Sequence, residues 1–193
     1  MLRLMILWSR RETKDVRKGV DSLRTFSLLK DTPIYNEQGE LFGSVCDICI
    51  ESNGRVTHLL LQKKGLMGKK FILPMEEVTS WEENGITLRA GEKLIPYCKD
   101  ERTYTMTHDQ PLAKIKTISP EGETLGLLDD VYFLEEMGTI VGYELTDGFF
   151  SDITKGKRII RTPLPPQIRE ETLVMSVNKL RGGHDDEMSE LPK

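Results

Sequence analysis

The chain is short of most residue types that carry chemistry. Its three cysteines, Cys46, Cys49 and Cys98, are too few and odd in number for a disulfide framework, which points to a reducing cytoplasm. Its three histidines, His58, His108 and His184, fall in three separate segments, and no serine or cysteine sits in a nucleophile motif, so no catalytic triad can be assembled. The apolar run at residues 4–8 is far too short to cross a bilayer or to serve as a secretory core, and no membrane span is expected elsewhere. With 27 basic against 31 acidic residues and a net charge of −4, the chain lacks the overall basicity of avid nucleic-acid binders. A local basic patch is still compatible with that balance.

What the chain does have is internal repetition. Residues 39–48 (GELFGSVCDI) match residues 122–131 (GETLGLLDDV) at a constant offset of 83 (122 − 39 = 83). Residues 54–61 then line up with 138–145 at an offset of 84, and residues 68–72 with 156–160 at 88. The offset grows only in loop-like stretches, where insertions are tolerated. Three blocks in the same order imply a duplicated unit of one fold. Two units of this size can each bury a modest core.

Each unit reads as a meander of short strands. In the first, a turn at residues 36–39 precedes an apolar, β-branched run at 41–50. Ser52-Asn53-Gly54 supplies a hairpin signal, residues 56–62 return, and residues 69–73 form a further strand ended by Pro74. A last strand covers 86–89. The second unit repeats this order at 114–118, 125–134, 139–145, 159–161 and 173–177. The expected organisation is an N-terminal extension at 1–23, a first unit at 24–96, a linker at 97–107, a second unit at 108–180 and a disordered acidic tail at 181–193. The basic extension reads as a poorly ordered arm, an arm for anionic lipid or nucleic acid, or a short docking helix.

Each candidate for chemistry has a plain structural reading beside it. Cys46 and Cys49 are spaced C-x-x-C but fall in a strand, where residues three apart face opposite ways; no metal or redox site is expected from them. Residues 65–70 look superficially like a phosphate loop but lack the Gly-Lys-Ser/Thr ending and a following helix. Asp47 and Asp130 occupy equivalent strand positions, as a shared binding carboxylate or as acceptors of backbone hydrogen bonds at a bulge. The loops after the return strands are more suggestive. Lys63, Lys64, Leu66, Met67, Lys69 and Lys70 cluster in the first unit, and Phe149, Phe150, Lys155, Lys157 and Arg158 in the second. Apolar residues beside cations at loop tips suit a partner surface, or else packing of one unit on the other.

The repeated pattern resembles the PRC-barrel superfamily. It rests on Gly39, Gly43, Val45, Asp47, Gly54, Leu61 and Pro74 in the first unit, and on Gly122, Gly126, Leu128, Asp130, Gly138, Leu145 and Gly156 in the second. That superfamily includes the cytoplasmic domain of the photosynthetic reaction centre H subunit and the C-terminal domain of a ribosome maturation factor. The resemblance implies an all-β protein of two tandem, small, partly open β-barrels with short helical turns, used to bind macromolecules rather than to catalyse. The expected partner is a protein, with RNA or a ribonucleoprotein such as the ribosome as the alternative. No cofactor, metal or small-molecule substrate is expected.

Overall fold

A computed structural model describes residues 22–177 apart from 64, 66–68, 83, 90–93, 149–151, 154–155 and 170. The expected N-terminal arm before residue 22 and the acidic tail from 181 therefore lie outside the described residues. The described residues are almost all β, as expected, and form two sheets, neither of which closes into a barrel among those residues.

The first repeat runs through β1 (Leu23–Thr25), a one-turn helix α1 (Phe26–Leu29), β2 (Pro33–Tyr35), β3 (Leu41–Glu51), β4 (Arg55–Lys63), β5 (Lys70–Pro74), a 3-10 turn at Met75–Glu77, β6 (Val78–Glu82), β7 (Gly85–Leu88) and β8 (Ile95–Pro96). The second runs through β9 (Thr103–Thr105), β10 (Lys116–Ile118), β11 (Thr124–Leu134), β12 (Ile140–Thr146), β13 (Arg158–Ile160), β14 (Gln167–Arg169) and β15 (Thr172–Val174). The long hairpins β3–β4 and β11–β12 form where β-branched and apolar residues are dense. Gly54 and Gly138, both at positive φ, sit in the turns that close them.

The two repeats exchange their first strands. β1 opens the first repeat but pairs with β11 of the second, Leu23, Arg24 and Thr25 lying opposite Leu134, Phe133 and Tyr132. β9, within the stretch read as a linker, pairs in the same way with β3, Thr103, Tyr104 and Thr105 opposite Glu51, Ile50 and Cys49. The two pairings correspond residue for residue under the 83-residue repeat (132 − 49 = 83). The hairpin tips also meet reciprocally. Val56 N donates to Gly138 O at 2.7 Å, and Ile140 N donates to Gly54 O at 3.0 Å. The chain thus has a local two-fold, with each half lending the other a strand.

The core follows from this exchange. Phe26, Ile48, Ile50, Met106, Val131 and Phe133 belong to one continuous buried cluster drawn from both repeats, rather than to two separate cores. The order-of-magnitude value of burying one such side chain, about 1.5–3 kcal/mol, makes this shared cluster the main force joining the halves. Arg24 adds a polar clamp. It pairs with Glu135 of the second repeat, and its guanidinium lies 5.7 Å from the Trp81 ring of the first.

Candidate interaction surface

The repeated aspartates hold the exchanged segments in place. At both, the strand register slips by one residue, between Val45 and Asp47 in the first repeat and between Leu128 and Asp130 in the second. The bulge turns each carboxylate off the regular ladder and toward the incoming strand of the other repeat. Asp47 is fully buried and accepts hydrogen bonds from Met106 N at 2.9 Å, Thr107 N at 2.7 Å, Thr107 Oγ1 at 2.8 Å and His108 Nδ1 at 2.5 Å. Asp130 receives only Ser27 N from across the exchange, at 3.2 and 3.3 Å from its two oxygens. These are the backbone hydrogen bonds at a bulge that sequence reasoning set against a shared binding role.

The sheet faces turned away from the core differ sharply between the repeats. Cross-strand register sets Asp47 opposite Leu60, Cys49 opposite His58 and Leu60 opposite Ile72 in the first repeat. The corresponding set in the second is Asp130 opposite Glu144, Tyr132 opposite Gly142 and Glu144 opposite Ile159. Ile72 therefore corresponds to Ile159 at an offset of 87 (159 − 72 = 87), not to Ile160 at 88 as the sequence blocks suggest. A one-residue slip turns a strand's side chains over. Ile159 accordingly faces out beside Glu144 and is 42% exposed.

In the first repeat this outer face is covered. Leu60 and Cys49 are buried although they lie outside the core cluster. β8 runs along the free edge of β5, Pro96 opposite Phe71 and Ile95 opposite Ile72, and Tyr97 N continues the ladder to Lys70 O at 2.9 Å. The Tyr97 hydroxyl bonds to Asp109, and burial first, then that bond, raises its pKa; Cys49 and Asp47 lie within electrostatic reach. Burial likewise pushes the Cys46 and Cys49 thiols up to about 11 and about 12, and Cys46 Sγ points to Leu60 O at 3.3 Å. Cys49 is buried and Cys46 half-buried, both free, and among the described residues no His/Cys/Asp/Glu group is arranged to hold a metal.

In the second repeat the equivalent face carries charge, and no described strand lies along the outer edge of β13. Lys157 Nζ lies 2.5 Å from Asp129 and 2.9 Å from Glu144. Its pKa is raised chiefly by the hydrogen bond to Asp129, then by that to Glu144. Lys114 joins Asp129 from the other side, and Tyr132 donates its hydroxyl to Glu144 at 2.7 Å. Arg158 binds Asp147 at 2.9 Å and the Leu125 carbonyl. Leu28 stands 79% exposed next to the Ser27 amide that Asp130 holds, where its counterpart in the other repeat, His108, folds onto Asp47.

The residues singled out in the loops are thus distributed unevenly. Lys63 lies with its Nζ 4.7 Å from the Phe42 ring, Lys70 starts β5, and Lys69 is exposed just before it. Lys157 belongs to the charged face just described, whereas Arg158, opposite Leu145 in β13, sits on the other side of the strand. Lys64, Leu66, Met67, Phe149, Phe150 and Lys155 lie outside the described residues. Sequence reasoning missed Ile159, Glu144 and Tyr132. The available signal was the contrast between Cys46, Cys49 and Leu60 in one repeat and Asp129, Tyr132 and Glu144 in the other.

The sequence model of the PRC-barrel domain matches residues 23–95. The chain is 34% identical over 166 residues to the uncharacterized protein YrrD of Bacillus subtilis (strain 168), an alignment covering 83% of this chain and 92% of that protein. The chain belongs to the PRC-barrel family. The matched PRC-barrel stretch begins at β1 and ends at β8, so it holds one complete repeat of sequence. In space, its first strand serves the other sheet. No helix among the described residues is long and apolar enough to cross a membrane.

Proposed function

We propose that this PRC-barrel protein is a non-catalytic cytoplasmic adaptor that receives an extended segment of a partner protein on the outer face and free edge of β11, β12 and β13. The observation that supports this reading is the asymmetry of the two sheets: β8 pairs along β5, while among the described residues no strand pairs along the outer edge of β13. An uncovered sheet edge offers a row of backbone donors and acceptors to which an extended peptide adds as a further strand. Exposed Ile159 and Leu28 give apolar contact. A protein partner is favoured over RNA because Lys157 and Arg158 already hold carboxylates, and phosphate binding would have to displace them.

Capture from lysate of the source cells, with wild-type and Ile159→Lys baits of equal melting temperature, tests the proposal. A nuclease-resistant protein recovered by wild type and lost by Ile159→Lys is the expected outcome. Recovery that is indifferent to Ile159, or that vanishes with nuclease and moderate salt, overturns it.

A further inference from the structure

The internal two-fold relates a filled place in the first repeat to a cleft in the second. Ile34 pairs with Ile86 as Thr117 pairs with Leu173, so β7 and β15 are equivalent. Trp81 lies opposite Ile86 and Ile168 opposite Leu173, which makes these two side chains counterparts (168 − 81 = 87; 173 − 86 = 87). Arg24 and Tyr104 are counterparts too, since they face Phe133 and Ile50 in the exchanged pairings. In the first repeat the Arg24 guanidinium lies over the Trp81 indole. At the second place Tyr104 and the smaller Ile168 line a cleft of about 450 Å³ instead.

A loop insertion builds another part of its wall. Lys30 and Thr32 donate to the carbonyls of Phe26 and Leu29, as Ala113 and Ile115 donate to those of Met106 and Leu112. The first pair of acceptors is three residues apart and the second six, so three extra residues replace the one-turn helix (29 − 26 = 3; 112 − 106 = 6). The longer loop brings Gln110 and Pro111 to the cleft. Much of the remaining lining is apolar: Leu112 is buried, and Tyr104, Ile115 and Ile168 pack against the core. The charges on the lining are Lys114 and Lys116 against Glu171. Lys114 is held by Asp129, whereas Lys116 is exposed and forms no ion pair among the described residues.

We propose that this cleft takes an aromatic side chain of a partner protein, a tryptophan or phenylalanine with an acidic residue beside it. The ring would stand where the Trp81 indole stands in the first repeat, with Tyr104 and Ile168 against it and the acid answering Lys116. A ring seated in an apolar pocket is the usual anchor of a protein contact. The site is built from β10, β14 and the 106–112 loop rather than from the β13 edge, so it stands whether or not a strand adds there.

A methyl-detected NMR titration of the intact protein with acetyl-Glu-Trp-Glu-amide tests the cleft. The methyl signals of Leu112, Ile115 and Ile168 should shift saturably, with a dissociation constant on the order of 1 mM. Acetyl-Glu-Leu-Glu-amide should bind about tenfold more weakly. Ile168→Trp supplies the cleft with its own indole, as Trp81 does in the first repeat, and should weaken the acidic peptide at least about tenfold at an unchanged melting temperature. Lys116→Glu, on the exposed rim, keeps the test open if that variant fails to fold; it should reverse the preference between the acidic peptide and acetyl-Lys-Trp-Lys-amide. Absence of saturable shifts up to about 10 mM overturns the proposal, as does binding that a folded Ile168→Trp variant leaves unchanged. An unchanged peptide order in Lys116→Glu overturns the acidic partner. N-acetyltryptophanamide binding as tightly as the acidic peptide would reassign the cleft to a small aromatic ligand, which also overturns it.

Discussion

Replacing Asp47 by alanine should cost far more than replacing its counterpart Asp130. Both side chains accept the amide of the next residue at 2.8 Å, so that loss is common to the two variants. Across the exchanged strand the accounts diverge. Asp47 also serves two backbone amides at 2.9 and 2.7 Å, a hydroxyl and an imidazole, with Met106 fully buried; Asp130 serves one amide at 3.2–3.3 Å from exposed Ser27. A hydrogen bond to a charged acceptor is worth about 1.5–3 kcal/mol, and a stranded buried donor adds its desolvation cost. Water can reach Thr107 once the carboxylate is gone, so the full sum is not realised. We expect a loss of about 3–5 kcal/mol for Asp47→Ala and about 1–2 kcal/mol for Asp130→Ala. The difference of about 2 kcal/mol should lower the melting temperature of the first variant by roughly 4–8 °C relative to the second. Urea unfolding followed by tryptophan fluorescence, with calorimetry beside it, measures both. Asp47→Asn, which keeps one acceptor oxygen, should fall between wild type and alanine. Equal losses at the two positions, within about 0.5 kcal/mol, would refute the claim that Asp47 is the stronger clasp.

Other consequences are independent of that clasp. At Gly138 an added Cβ would lie 1.9 Å from Val56 O, against nothing within 4 Å at Gly122, and both have positive φ; Gly138→Ala should therefore cost about 2 kcal/mol more than Gly122→Ala in the same urea assay. At pH 8 an aromatic disulfide reagent should titrate exposed Cys98 rapidly and the other two thiols slowly, because burial disfavours their thiolates; rapid reaction of all three in the native protein would contradict the covered face. Half-burial lowers the His58 pKa below its usual 6.5, so the unfolded chain takes up that proton first. Stability should then fall as pH drops below about 6.5, and His58→Gln should flatten that part of a pH–stability curve.

The repeat, the strand order and the hairpin turns were all legible because each is written in local patterns: glycines at turns, β-branched runs and a constant offset. The strand exchange was not. β1 and β9 are three residues each, Leu23-Arg24-Thr25 and Thr103-Tyr104-Thr105, with no periodicity to mark them, and which sheet they join is decided by pairings about a hundred residues away in the case of β1. The proposed partner surface was half legible. Lys157 and Arg158 were found as cations near a loop, but the carboxylates that hold Lys157 come from β11 and β12 through register, and the one that holds Arg158 is Asp147, just past β12. Ile159 was matched with Phe71 instead of Ile72 by a one-residue error in aligning the repeats, which only the ladder Glu144–Ile159 corrects.

The reciprocal exchange is tested most directly by cross-strand Hα–Hα and amide contacts in an NMR spectrum of the intact chain. The account expects Arg24 to report Phe133 and Tyr104 to report Ile50. Contacts of Arg24 with Ile50 and of Tyr104 with Phe133, each strand kept within its own repeat, would contradict it.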